Sequence, residues 1–239
     1  MSDTDHSTTL TWDTAAAAAA YRRRDMRLAE RLIFPTALHH LGRPARPDAA
    51  VLDIGCGTGV LAALMARTHG WTVHGLDVSP HMLEIARTDN AHPRIDYHLF
   101  DGRSLPDIAD GTVDAAVCCL VYCTDPDDHR LAALTSEIER VLRPGAPYIL
   151  ADLNPDATGE QFSTLRYGEP KTTYSDGDSV PVVLRRLDGT TDALTCHFRT
   201  LATYTSLLTD AGFPTPTVDL PTDTATIAPY MVLTTHKDR

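Results

Sequence analysis

Three glycines stand at alternate positions in the segment Val51-Leu52-Asp53-Ile54-Gly55-Cys56-Gly57-Thr58-Gly59. A short apolar run ends at Ile54, and a helix-forming run, Val60 to His69, follows the bend. A bend without side chains lets backbone come within contact distance of a ligand, because a Cβ there would clash or forbid the required φ. The open N–H groups of the following helical turn face the same spot. Two carboxylates accompany the bend. Asp53 sits just before it. Asp77 closes the next strand, at about the spacing where an acidic side chain accepts hydrogen bonds from ribose hydroxyls. The alternative for Asp77 is an ordinary polar strand end.

Charge and spacing discriminate among ligands for such a bend. A dinucleotide fingerprint, G-x-G-x-x-G/A, would put Val60 at its sixth position and leave Gly59 unexplained. The Gly-Lys-Ser/Thr of a nucleotide-triphosphate loop is absent. Asp53 would repel a pyrophosphate and attract a cation. S-adenosylmethionine carries a sulfonium and an ammonium and no phosphate, so the carboxylate favours it.

The segments VLDIGCGTG, VHGLDVSPHMLEIAR, Asp101-Gly102 and ERVLRPGAPYILADLNP, in this order, resemble the class I S-adenosylmethionine-dependent methyltransferases. The resemblance runs from about residue 49 to 155, and the AGF ending before two strand candidates is similar to that family's C-terminal end. It implies a Rossmann-like, doubly wound α/β fold with a seven-stranded sheet whose last strand is antiparallel. It also implies a set of contacts. Gly55, Gly57 and Gly59, with Asp53 and Cys56 among them, would line the methionine part of the cofactor. Asp77 would hold the ribose, and Val78 and Met82 would flank the adenine. Asp101 would accept from the adenine amino group beside Gly102, and Cys119 and Leu120 would face the methionine portion. Tyr21, on the N-terminal helix, would close over the cofactor; a core aromatic is the alternative. Ala146 departs from the family's usual second glycine after Pro144-Gly145. The second half, through DLNP, RYGEP, SDGD and CHFRTLATYTSLLTDAGF, is loosely similar to small-molecule methyltransferases of the toxoflavin synthase type, which act on nitrogen. That implies a small heterocyclic or natural-product acceptor, methylated at O or N.

Methyl transfer from a sulfonium is an in-line displacement, so alignment matters more than activation. The acceptor pocket is expected above the carboxyl ends of the strands. Tyr122, after the fourth strand, and His197, in a hairpin that would cover the site, are the catalytic candidates, with His197 as the base or else a structural histidine. His129, Asp152 and Asn154 are further candidates to line the pocket. Asp128, Asp152 and Asn154 are oxygen ligands of the sort magnesium uses. Their surroundings do not resemble the catechol-type branch, and no metal is expected. Two other readings of the cofactor motif stay open: a fold relative that catalyses a non-methylating reaction such as a cyclisation, and a non-catalytic binding subunit.

These residues need elements to hold them. Strand–helix alternation begins at Ala50 and continues to Leu153, which predicts right-handed crossovers and a parallel sheet covered on both faces. Before it, residues 1–12 read as a flexible lead-in and a helix starts at Asp13 or Thr14, with Pro35 expected to interrupt it. After it, two strands around Leu187-Asp188-Gly189-Thr190 read as a hairpin. A helix then ends at Gly212, and two strand candidates follow. The expected division is a helical cap over 1–48, a cofactor-binding core over 49–155, a lid and acceptor-site insertion over 156–198, and a helix and two strands over 199–239.

The chain has 239 residues, 43% of them hydrophobic, and a formal net charge of −11. That is ample for a core, and the acidic balance argues against nucleic acid as a partner. The Arg22-Arg23-Arg24 run reads as the solvated side of a helix. No apolar run approaches the roughly twenty residues of a membrane span, and no secretory signal is evident. The five cysteines lack CxxC spacing, which suits a reduced, cytoplasmic protein with Cys118, Cys119 and Cys123 as small core residues. Monomer and homodimer are both compatible with this reading.

Overall fold

A computed structural model describes residues 14–223 and 226–239. The lead-in over 1–12 and Asp13 therefore lie outside the described residues. In chain order the elements are α1 (Ala15–Tyr21), α2 (Arg27–Leu41), β1 (Ala50–Ile54), α3 (Val60–Leu64, continued by a π turn), β2 (Thr72–Asp77), α4 (Pro80–Asp89), β3 (Ile95–Leu99) and β4 (Ala115–Cys119). They continue with α5 (Asp128–Val141), β5 (Pro147–Leu153), β6 (Leu165–Tyr167), β7 (Ser179–Arg185), β8 (Thr191–His197), α6 (Leu201–Asp210), β9 (Thr217–Asp219) and β10 (Tyr230–His236).

Seven strands form one sheet in the order β3-β2-β1-β4-β5-β10-β9. The first five are parallel, and β10 runs antiparallel to both β5 and β9. The expected doubly wound sheet is thus present. Its order reverses between β1 and β4, where an open α/β sheet forms its ligand crevice. One face buries Val51, Val73, Val117 and Ile149 under α2, α3 and α4; the other buries Leu52, Ile54, Leu150 and Tyr148 under α5 and α6. A second, antiparallel sheet, β6-β7-β8, carries the expected hairpin and a third strand that the sequence reading did not foresee. Its Val180, Val182 and Cys196 join the first core. Among the described residues no helix is long and apolar enough to cross a membrane.

The N-terminal region departs from expectation. The helix breaks at Arg22–Met26, and α2 runs through Pro35. The break has a tertiary cause. Arg24 bridges Arg186, and the Asp25 N–H donates to the Arg185 carbonyl, which draws the chain to the edge of the small sheet. The Asp25 carboxylate then accepts from the Arg27 backbone N–H at 3.2 Å and restarts the helix. Thr14 caps α1 by accepting from Ala17 N–H at 3.1 Å.

Candidate active site

The three bend glycines all adopt positive φ, between 53° and 79°, but they serve different neighbours. A Cβ on Gly55 would stand 2.2 Å from Val121 Cγ2, and one on Gly59 would stand 2.3 Å from the Tyr97 hydroxyl. These two let the bend pack against the exit of β4 and against β3. A Cβ on Gly57 would meet only Tyr21, with the hydroxyl nearest at 3.8 Å. Gly57 is therefore the one whose backbone faces the space beneath Tyr21.

Both carboxylates converge there. The Gly57 N–H donates to Asp77 Oδ2 at 2.8 Å, and the Ser79 N–H donates to Asp77 Oδ1 at 2.9 Å. Burial raises the Asp77 pKa, and those N–H groups oppose the rise. Asp53 is 2% exposed, and its Oδ2 has no hydrogen-bond partner among the described residues. Burial first, then the charge of Asp77, pushes its carboxyl up to about 7. Tyr21 is lifted to about 12 by burial, with Asp77, Cys119 and Asp53 adding to the rise, and the Arg24 guanidinium sits 5.3 Å from its ring centroid. An orphaned buried carboxylate oxygen beside a side-chain-free bend fits a cationic ligand. S-adenosylmethionine meets that requirement: Asp53 would face its positive charge, and Asp77 would take hydroxyl donors.

Further along the crevice, a Cβ on Gly102 would come within 3.0 Å of Val78 Cγ1, so Val78 and Gly102 stand side by side. Val78 is 46% exposed, and Met82 is buried in the first turn of α4 under the Ser79 cap. The Asp101 carboxylate accepts from the Arg103 and Ser104 N–H groups and the Ser104 hydroxyl, which hold its pKa low, Ser104 foremost. Cys119 is half-buried at the end of β4, and burial raises its thiol pKa. Leu120 follows at φ 59°, a left-handed conformation unusual for a branched residue, held by its N–H bond to the Ala151 carbonyl at 2.8 Å.

Several expected site residues are placed elsewhere. Cys56 turns its thiol into the core, where a Cβ on Gly75 would lie 3.1 Å from it, and only its backbone belongs to the bend. Tyr122 is completely buried on the α5 side, its hydroxyl bonded to Thr135 Oγ1 at 2.7 Å and Tyr148 Oη at 3.1 Å. The left-handed step at Leu120 redirects the chain, so Tyr122 does not face Gly57. On β8 the side chains alternate. Cys196 faces Cys123 in the core, which leaves His197 on the opposite side beside Arg199. Burial and then Arg199 lower the His197 pKa.

The remaining pocket candidates are engaged in the scaffold. Asp152 is fully buried and accepts from the Cys123 and Leu153 N–H groups at 2.9 and 2.7 Å. Asn154 donates to the Ala228 carbonyl at 2.8 Å. Asp128 pairs with Arg199, and His129 sits in the first turn of α5 with its N–H on Asp127.

Four residues in this region escaped the sequence reading. Arg24, taken for solvated surface, is 4% exposed and lies beside Asp192 as well as Tyr21. Arg199 is buried and donates to the Tyr122 and Asp125 carbonyls and to Asp128. Tyr230 feels the charges of Tyr21 and Cys123, and Tyr167 those of Cys123, Asp152 and Cys196. Each tyrosine lies in a strand whose inward face is set by pairing, and no local motif marks it.

Comparison with known proteins agrees with this geometry. Residues 51–145 match a family described as a methyltransferase domain. The N-demethylindolmycin N-methyltransferase of Streptomyces griseus is 30% identical over 92% of this chain and 94% of its own. The CcbJ methyltransferase from Streptomyces caelestis shares the fold, with TM-score 0.67 and 17% identity over 96% of this chain and all of its own. A SAM-dependent methyltransferase from Methanosarcina mazei does so with TM-score 0.60 and 22% identity, over 84% and 97% of the two chains.

Proposed function

We propose that this chain, which belongs to the class I S-adenosylmethionine-dependent methyltransferases and is such an enzyme, methylates a small heterocyclic or natural-product acceptor at nitrogen. The observation that carries the site is Asp53: a buried carboxylate with an unpartnered oxygen, within electrostatic reach of Asp77 and Tyr21. Nitrogen is favoured because a relative that matches over 92% of the chain is named as an N-methyltransferase. A small acceptor suits a three-stranded sheet that shares one buried core with the main sheet and would act as a cover over the site.

When bound, S-adenosylmethionine supplies an electrophilic methyl on a sulfonium whose leaving thioether is neutral. The chain's own residues then have three tasks. Asp53 and Asp77 orient the charged and hydroxyl ends, while Gly57 admits them to backbone distance. Val78, Met82, Asp101 and Gly102 hold the flat base. Tyr21, Cys119 and Leu120 close the space around the reacting centre, and residues 156–198 act as the lid that keeps water from it. Such alignment is worth on the order of 7–11 kcal/mol. A neutral amine needs no side-chain base before attack, and its proton leaves afterwards. For an acceptor that does need one, His197 is the candidate base.

The test has two steps. Calorimetric titration with S-adenosylhomocysteine should give saturable one-to-one binding that Asp53→Asn weakens. Incubation with methyl-labelled cofactor and a panel of small N-heterocycles, amines and phenols should then put label on nitrogen and release S-adenosylhomocysteine. Label on oxygen would move the acceptor class. Acceptor turnover without S-adenosylhomocysteine would support a non-methylating reaction, and absence of cofactor binding would overturn the whole reading.

A further inference from the structure

β2 and β3 form one edge of the main sheet. Their Val73, Ile95 and Tyr97 pack into the core with α3 and α4. The crossover from β3 to β4, residues 100–114, contains no helix, so the opposite face of this edge is only partly covered: Leu76 is buried there, while His74 is half-buried and Asp96 and His98 are exposed. Three donor side chains stand on that open part of the face. His74 is directly paired with Asp96 across the two strands, and His98 pairs with Leu76 two residues further on. The period-two pleat therefore puts His74, Asp96 and His98 on one side. One ligating atom from each lies within 4.8 Å of the others, and the two imidazole centroids are 5.9 Å apart.

We propose that His74, Asp96 and His98 form a site for one divalent transition-metal ion, with zinc as the best fit. Two imidazoles and a carboxylate are a donor set for zinc, cobalt or nickel, and a poor one for magnesium or calcium. In a tetrahedral zinc site with bonds of about 2.0–2.2 Å, donor atoms stand ~3.3 Å apart. Closing a spacing of up to 4.8 Å to that value takes up to about 1.5 Å of side-chain movement, and Asp96 and His98 are exposed and able to supply it. The backbone needs no change, since register already fixes the three positions. Three protein ligands leave a fourth position open to water or to a donor from another molecule. This site lies apart from the bend that holds Asp53 and does not rest on the proposed acceptor.

The tag-free, full-length chain, treated with a chelator and then dialysed, should take up one zinc per chain in a calorimetric titration. Cobalt should give visible absorption of nitrogen–oxygen coordination, and magnesium should give neither signal. His98→Ala and Asp96→Asn should each weaken zinc about tenfold or more, while S-adenosylhomocysteine titration stays unchanged. The exposed Asp96→Asn decides the matter should His98→Ala lose both activities through misfolding. No saturable zinc uptake, or one-to-one uptake that both variants leave intact, would overturn the assignment.

Discussion

At the scale of single residues, two kinds of glycine and one carboxylate make separable predictions. Gly55→Ala meets Val121 Cγ2 and a φ of 67° at once. The left-handed strain of about 1–2 kcal/mol and a packing clash of about 1–3 kcal/mol should appear as lost stability in chemical denaturation. Gly57→Ala has room for its methyl and should lose only the conformational part, about 1–2 kcal/mol, yet weaken S-adenosylhomocysteine binding tenfold or more. Equal loss of affinity in the two variants, after correction for stability, would contradict the assignment of Gly57 to the ligand. Asp53 predicts a pH signature. Its folded pKa of about 7 exceeds the ordinary value of 3.8. The contribution is therefore fully present below pH 4 and is lost as pH rises through 7, on the order of 4 kcal/mol in all. Asp53→Asn should match the parent near pH 4 and exceed it in stability at pH 8 without cofactor. With cofactor the order reverses: the parent's affinity should rise through pH 7 as Asp53 ionises, and that of the variant should stay flat and lower. The residues that could be read beforehand are those fixed by local geometry, Gly57 and Asp77 above all. Tyr122 and His197 could not be, because which way each points is set by the left-handed step at Leu120 and by the phase of β8.

At the scale of elements, the local signals for the strands of the main sheet and for the cap at Thr14 held, and that for interruption at Pro35 did not. Ser79 caps α4, and Asp127 caps α5 through the His129 and Arg130 N–H groups, as side chains at those positions should. Pro35 lies inside α2, where the loss of one hydrogen bond is offset by burying Leu32, Ile33, Ala37 and Leu38 around it. The real break, at Arg22–Met26, answers to Arg185 and Arg186, about 160 residues away in sequence, so no local pattern could announce it. Arg199 is the corresponding long-range tie on the other side. It stands between β8 and α6, and joins the end of the small sheet to the carbonyls of Tyr122 and Asp125 and to Asp128. Arg199→Met should leave those carbonyls without their buried donor and cost about 1–3 kcal/mol in denaturant unfolding. Its effect on turnover should fall on the acceptor KM more than on cofactor affinity, because the elements it joins lie on the lid side of the crevice. A variant with normal acceptor KM and impaired S-adenosylhomocysteine binding would place Arg199 in the cofactor machinery instead.

At the scale of the whole molecule, the question is whether residues 156–198 are a body of their own. Their three strands form a separate sheet, which suggests independence. Their apolar side chains argue the other way. Leu165, Tyr167, Val180, Val182, Cys196 and Phe198 belong to the same buried cluster as Val51, Val73, Val117 and Ile149 of the main sheet. A three-stranded sheet with one face to bury needs a partner surface to be stable, and here that surface is the cofactor core itself. Unfolding should therefore be a single calorimetric transition, with equal van't Hoff and measured enthalpies. S-adenosylhomocysteine at about 100 times its dissociation constant should add about 2.7 kcal/mol, which for a chain of this size raises the midpoint by ~2–4 °C per kcal/mol. Because the small sheet and the main sheet share their interior, the ligand should move the entire transition. Two resolved transitions, only one of them shifted by ligand, would mean that the small sheet folds apart from the site it covers. The reading of residues 156–198 as a lid built into the core would then fail, though the carboxylate-lined bend beneath Tyr21 would keep its role.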